Sequence, residues 1–178
     1  MKTLPREKAN AMWDKWWDEM RGEWFKLEVL QDYAAEDEGP SLQAWLEGDK
    51  QRSITLMLEP SNIASGKGFQ KKRSQGVKLI RLHTVQEPYT AYIQWELEHY
   101  KHVNKPLWDE SIFLINRSEV ADLDIPSGDT MIFDKKQVVV NKYNSRGLMT
   151  HETFYDEHDD ISHFLKLRIA LIERAKAL

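Results

Sequence analysis

Residues 127–143 read SGDTMIFDKKQVVVNKY, an apolar run that ends in Asp134, turns on Lys135 and Lys136, and restarts as Val138, Val139 and Val140. Either Asp134 is the corner of a β-hairpin, or it is the last residue of a catalytic motif at a strand end. Both readings place strands at 130–134 and 137–143, because each run is short, rich in β-branched and aromatic residues, and bounded by polar turn residues. With two strands joined by so tight a turn, the chain has a sheet, and the rest of the sequence decides what covers it.

Outward from this hairpin, 148–155 (LMTHETFY) reads as a third strand, joined through Asn144, Ser145, Arg146 and Gly147. Upstream, SIFLIN at 111–116 and the 76–84 stretch of GVKLIRLHTV are apolar enough for buried strands. In EWFKLEVL, Trp24, Lys26 and Glu28 alternate with Phe25, Leu27 and Val29, which predicts another strand. Helical spacing appears between the strands. Met12, Trp13, Trp16, Trp17 and Met20 form the stripe of an amphipathic helix that Gly22 ends, and a buried role is the commoner use of such a stripe. EDEGP is expected to be a solvated turn before a short helix, SLQAWLEG, and the two glycines within 59–75 confine a helix there to the later part. Pro88 stands at a helix-start position for 88–101, followed by a loop at Asn104, Lys105 and Pro106. A last helix spans 160–177, with Ile161, Phe164, Leu165, Ile169 and Ile172 as its inward face. The expected class is α/β: a single domain, with an N-terminal amphipathic helix over 1–22 and a mixed sheet flanked by helices over 23–178.

The 178 residues suffice for one core of appreciable size. With 25 basic and 29 acidic residues the net charge is -4, which argues against a protein that coats nucleic acid with its whole surface. There is no cysteine, so disulfides, thiolate metal sites and cysteine nucleophiles are excluded. No run approaches a membrane span, and the N-terminus lacks the apolar core of a signal peptide, so a cytoplasmic protein is expected. No cofactor is expected, since GKG at 66–68 lacks the rest of a phosphate-loop pattern. No metal site is expected either: His158 and His163 are five apart and miss the i, i+4 spacing that aligns two imidazoles. Glu96 and Glu98 point to different faces of their helix and do not form a ready acid/base pair.

GVKLIRLHTV, following a basic segment, resembles a strand of phospholipase D-like domains. Active members carry a histidine, a lysine two residues on, and an aspartate five further. With Asp134 at the aspartate position, Ser127 falls at the histidine and Asp129 at the lysine. His99 and Lys101 begin the same motif, but its aspartate position holds Pro106. Trp24-Phe25-Lys26-Leu27-Glu28 with Tyr33, Gly76-Val77-Lys78-Leu79-Ile80-Arg81, Glu87-Pro88 with Tyr92, Trp95-Glu96-Leu97, and Ile132-Phe133-Asp134 with Tyr143 and Gly147 are similar to a family of uncharacterised, mostly actinobacterial proteins. That resemblance implies a phospholipase D-like fold used for regulation or binding, with a helix-turn-helix DNA-binding protein as the expected partner and a homodimer compatible with it. No catalytic residue is assigned. The competing reading is a phosphodiesterase or nuclease with a rearranged site.

Two groups remain as candidate binding residues. Lys67, Lys71, Lys72, Arg73 and Lys78 form an acid-free basic run, either a solvated face or a surface for an anionic ligand or nucleic acid. Glu28, Arg81, Glu96 and Asp134 could surround a ligand pocket or form a structural ion-pair network.

Overall fold

A computed structural model describes residues 1–178, with the side chains of residues 35–37 and 65 set aside. Asp134 is a hairpin corner. β5 (Thr130–Phe133) and β6 (Gln137–Tyr143) run antiparallel, with Phe133 opposite Gln137. Asp134 and Lys135 both take positive φ, 51° and 60°. This conformation costs an ordinary residue about 1 kcal/mol and is most tolerable for Asp and Asn. The carboxylate offsets that cost by bonding across the molecule. Its Oδ2 accepts from the Arg21 N–H at 2.8 Å, and its Oδ1 from those of Gly22 and Glu23 at 2.6 and 2.9 Å. These N–H groups lie where α1 (Arg6–Glu19) gives way to β2 (Glu23–Glu28), so the hairpin tip fixes the entry of β2 into the sheet.

The described residues build one mixed sheet of eight strands in the order β1-β7-β6-β5-β2-β3-β4-β8. β3 (Lys78–Val85) pairs in parallel with β2 and with β4 (Ser111–Asn116), and the remaining pairings are antiparallel. β7 is Met149–Tyr155. The expected strands are all present, but β1 (Lys2–Pro5) and β8 (Lys176–Ala177) were not expected. Both are short edge strands, and two to four residues are too few to show an alternation.

The alternation in β2 divides the core. Phe25 and Leu27 join Leu82, Ile132 and Val138 under α8 (Ser162–Arg174), whereas Trp24 joins Trp16, Met20 and Phe133 under α1. α8 buries Phe164, Leu167 and Leu171, and Ile169, expected to point inward, is 51% exposed. The spacing 164, 167, 171 selects the buried face, and 169 falls on its opposite side. This helix also ends before 177, because β8 leaves it to pair with β4.

Further corrections concern the remaining helices. α2 (Ala35–Leu46) is broken at Gly39, with φ 75° and ψ -169°. α3 (Lys50–Met57) was not expected; Asp49 caps it, its Oδ1 accepting the Arg52 N–H at 3.0 Å. In place of one late helix, 59–75 forms α4 (Pro60–Ser65) and α5 (Lys67–Ser74). They part at Gly66, where the Trp108 indole fills the space a Cβ would need. α6 (Ala91–His99) begins after Thr90, whose hydroxyl accepts the Ile93 N–H at 3.1 Å, and not at Pro88. It continues through a π-turn at Tyr100–Asn104 into α7 (Lys105–Trp108), where a loop was expected.

Candidate functional site

On the Trp24 face, β2 carries Lys26 and Glu28, and their parallel neighbours on β3 are Arg81 and His83. Charged side chains on a central strand need partners, because an isolated buried charge is prohibitively costly. Arg81 donates from Nη1 to Glu28 Oε1 at 2.6 Å and from Nε to Glu110 Oε2 at 2.7 Å. Lys26 Nζ donates to the same Glu28 oxygen at 2.5 Å, and the Tyr100 hydroxyl to Glu28 Oε2 at 2.6 Å. Burial would raise the Glu28 carboxyl, but Arg81 and Lys26 outweigh it and hold the group well below the usual carboxylate range. His83 is fully buried, with Nε2 at 2.8 Å from the Leu30 carbonyl. Burial alone would lower its pKa; Glu96 beside it, then Glu28, raise it to about 9, so both ring nitrogens carry protons at neutral pH.

Beyond these pairs lies a cavity of about 280 Å³, walled by Glu28, Glu38, Tyr92, Trp95 and Glu96. Glu96 is 6% exposed. Its Oε2 lies 2.8 Å from His83 Nδ1 as an ion pair, yet it accepts no hydrogen bond of good geometry among the described residues. Glu38 accepts the Tyr92 hydroxyl at 3.0 Å and has no cationic partner among the described residues. Burial, with Glu96 and Glu28 adding to it and Tyr92 and the more distant Lys26 opposing, pushes its pKa up to about 7.

Next to Glu28, across the β2–β5 pairing, sits Asp129, 1% exposed. It accepts the Val29 N–H at 3.0 Å and the hydroxyls of Tyr33 and Tyr143, each at 2.7 Å. Gly128 before it is pressed against the Asn141 carbonyl, where a Cβ would not fit.

Of the expected pocket residues, Glu28, Arg81 and Glu96 come together. Asp134 does not, because its bonds to residues 21–23 place it at the opposite end of β2. Nor does the basic run form one surface. Lys67, Lys71 and Lys78 are exposed, but Arg73 pairs with Asp109 at 2.7 Å. Lys72 is 3% exposed, and its Nζ donates to the carbonyls of Asp18 and Met20, where α1 ends. Lys72→Met is therefore expected to cost about 1–2 kcal/mol and Lys71→Met under about 0.5 kcal/mol. Equal urea midpoints for the two variants would refute this division. Sequence reasoning passed over Lys26, Glu38, His83, Tyr100 and Glu110. Lys26 and His83 had a local signal, as polar residues in phase with Glu28 and Arg81 on apolar strands; the others converge only in the fold.

Glu28, His83 and Glu96 also bring potential metal-ligating atoms within 4.8 Å of one another. Lys26 and Arg81 already neutralise Glu28, and a doubly protonated His83 has no lone pair to offer.

The fold is phospholipase D-like. Nuc from Salmonella typhimurium, a phospholipase D family member, superposes with a TM-score of 0.53 at 9% identity, over 99% of this chain and 96% of that one. NucT from Helicobacter pylori gives 0.49 at 11% identity, over 99% and 98%. TrmBL2, an archaeal chromatin protein, gives 0.47 at 12% identity, over 99% of this chain and 54% of its own. Residues 11–178 match the family model of a domain of unknown function, DUF6879, and the chain belongs to that family. No curated protein matches it. No helix among the described residues is long and apolar enough to cross a membrane.

Proposed function

We propose that this protein is a non-catalytic binding module on a phospholipase D-like scaffold, with the cavity beside Glu28 as its binding site. The observation that carries this reading is Asp129. At the place where the motif spacing calls for a phosphate-holding lysine stands a buried carboxylate, fully engaged by Val29, Tyr33 and Tyr143. A negative group there would repel a phosphoryl oxygen. Ser127, at the nucleophile position, is exposed and has no base bonded to it among the described residues. A regulatory role beside a DNA-binding protein fits such a module, and the exposed Lys67, Lys71 and Lys78 are the part of the basic run that could face an anionic partner.

Purified protein is expected to show no turnover of bis(p-nitrophenyl) phosphate or of single- and double-stranded DNA, with or without Mg²⁺, Mn²⁺ or Zn²⁺. Turnover that co-purifies with the chain and falls in Ser127→Ala would sink the reading. Ser127 is exposed, so that variant retains the fold.

A further inference from the structure

We propose that the cavity binds a small organic cation, an amine or guanidinium group, between the carboxylates of Glu38 and Glu96 and against the rings of Tyr92 and Trp95. The inference rests on the binding-module reading and names the chemistry of its ligand. The charges in and around the cavity decide the sign. Arg81 lies between Glu28 and Glu110, Lys26 is held by Glu28, and His83 lies against Glu96, so each of these cations already has a carboxylate. Glu38 has no cation within ion-pair distance among the described residues and feels Lys26 only from farther off, which leaves the cavity short of positive charge. A second feature points the same way: Glu96 Oε2, nine-tenths buried, has only the His83 imidazolium beside it, 2.8 Å away and not aligned as a good hydrogen bond. A carboxylate oxygen can accept more than one hydrogen bond, and a ligand N–H would add the well-aligned donor that this one lacks. Tyr92 and Trp95 present aromatic surface, which attracts cations and does not attract phosphate. The volume, about 280 Å³, sits at the lower limit for ligand pockets and suits a small molecule.

The pH dependence follows from Glu38, which faces Tyr92 and Glu96 of α6 and Lys26 and Glu28 of β2. Between pH 6 and pH 8 it passes from about one-tenth to about nine-tenths ionised, so binding should strengthen about tenfold as the pH rises.

The test is calorimetric titration of the full chain with agmatine, putrescine and tetramethylammonium at pH 6 and pH 8, beside sodium phosphate and manganese chloride at matched ionic strength. At least one organic cation is expected to bind, about tenfold more tightly at pH 8, and Glu38→Gln should weaken it by about tenfold or more and remove the pH dependence. Glu38 is only half-buried, so an unchanged melting temperature serves as the folding control. The inference is overturned if none of the three cations binds, if Glu38→Gln leaves binding intact, or if phosphate or Mn²⁺ binds instead. Those failures without phosphodiester turnover leave the non-catalytic reading standing, whereas turnover removes that reading whatever the titration shows.

Discussion

Arg81→Met is expected to destabilise the protein by about 3–5 kcal/mol at neutral pH, a large share of the roughly 5–15 kcal/mol that holds a domain folded. The substitution leaves Glu110 without the guanidinium and Glu28 with Lys26 as its cation and the Tyr100 hydroxyl as its other donor. Both carboxylates are buried, so water replaces the lost bonds poorly. The effect has a defined pH dependence. With Arg81 present, the folded-state pKa of Glu28 lies below its unfolded value, so this contribution is complete above about pH 4.5 and is lost as pH falls towards the folded pKa. Without Arg81 that depression shrinks, and the gap between parent and variant should narrow as acidification protonates Glu28. Urea midpoints with unchanged m-values measure both statements. A loss below about 1 kcal/mol at neutral pH would mean that the pair contributes little beyond its own desolvation.

Asp134→Ala is expected to lose about 3–4 kcal/mol. It removes a charged acceptor from the Arg21, Gly22 and Glu23 N–H groups and places a Cβ-bearing residue without a local polar partner at φ 51°. Asp134→Asn should lose less, since it tolerates the left-handed conformation and keeps one acceptor oxygen. Burial would raise the Asp134 pKa, but the backbone N–H groups lower it, so its contribution is present above the unfolded-state value near 3.8 and fades as pH falls below it. If thermal melts place Asp134→Ala within about 0.5 kcal/mol of the parent, the corner is not the clamp described above.

The strands were legible where alternation ran over six or more residues, as in EWFKLE, because each position there answers to one face of the sheet. β1 and β8 owe their existence to partners far away in sequence, Thr153 opposite Thr3 and Phe113 opposite Ala177, and carry no pattern of their own. α3 had a readable start in Asp49 and Arg52, which polar neighbours obscured. In the site, Glu28, Arg81 and Glu96 stood out as charges on elements that had to be buried. Asp134 was misplaced because linear spacing does not tell which end of β2 a hairpin tip will reach; the pairing of Trp24 with Phe133 settles it beside Glu23. Lys72 looked like its neighbours in a basic run, and only the packing of α5 against the end of α1 takes it out of water.

The position of β2 between β3 and β5 also constrains folding during synthesis. Trp24 pairs on one side with Leu79 and on the other with Phe133. At about 5–20 residues per second, a ribosome that has made β2 needs roughly 5–20 s more to deliver β5. Through that interval one flank of a central strand stays unpaired, with Phe25 and Leu27 awaiting the surface that α8 will later cover. The nascent chain is therefore most exposed to aggregation and to chaperones before residue 133 has emerged, and a translational pause in the 30–130 region would lengthen that exposure more than one placed after β6.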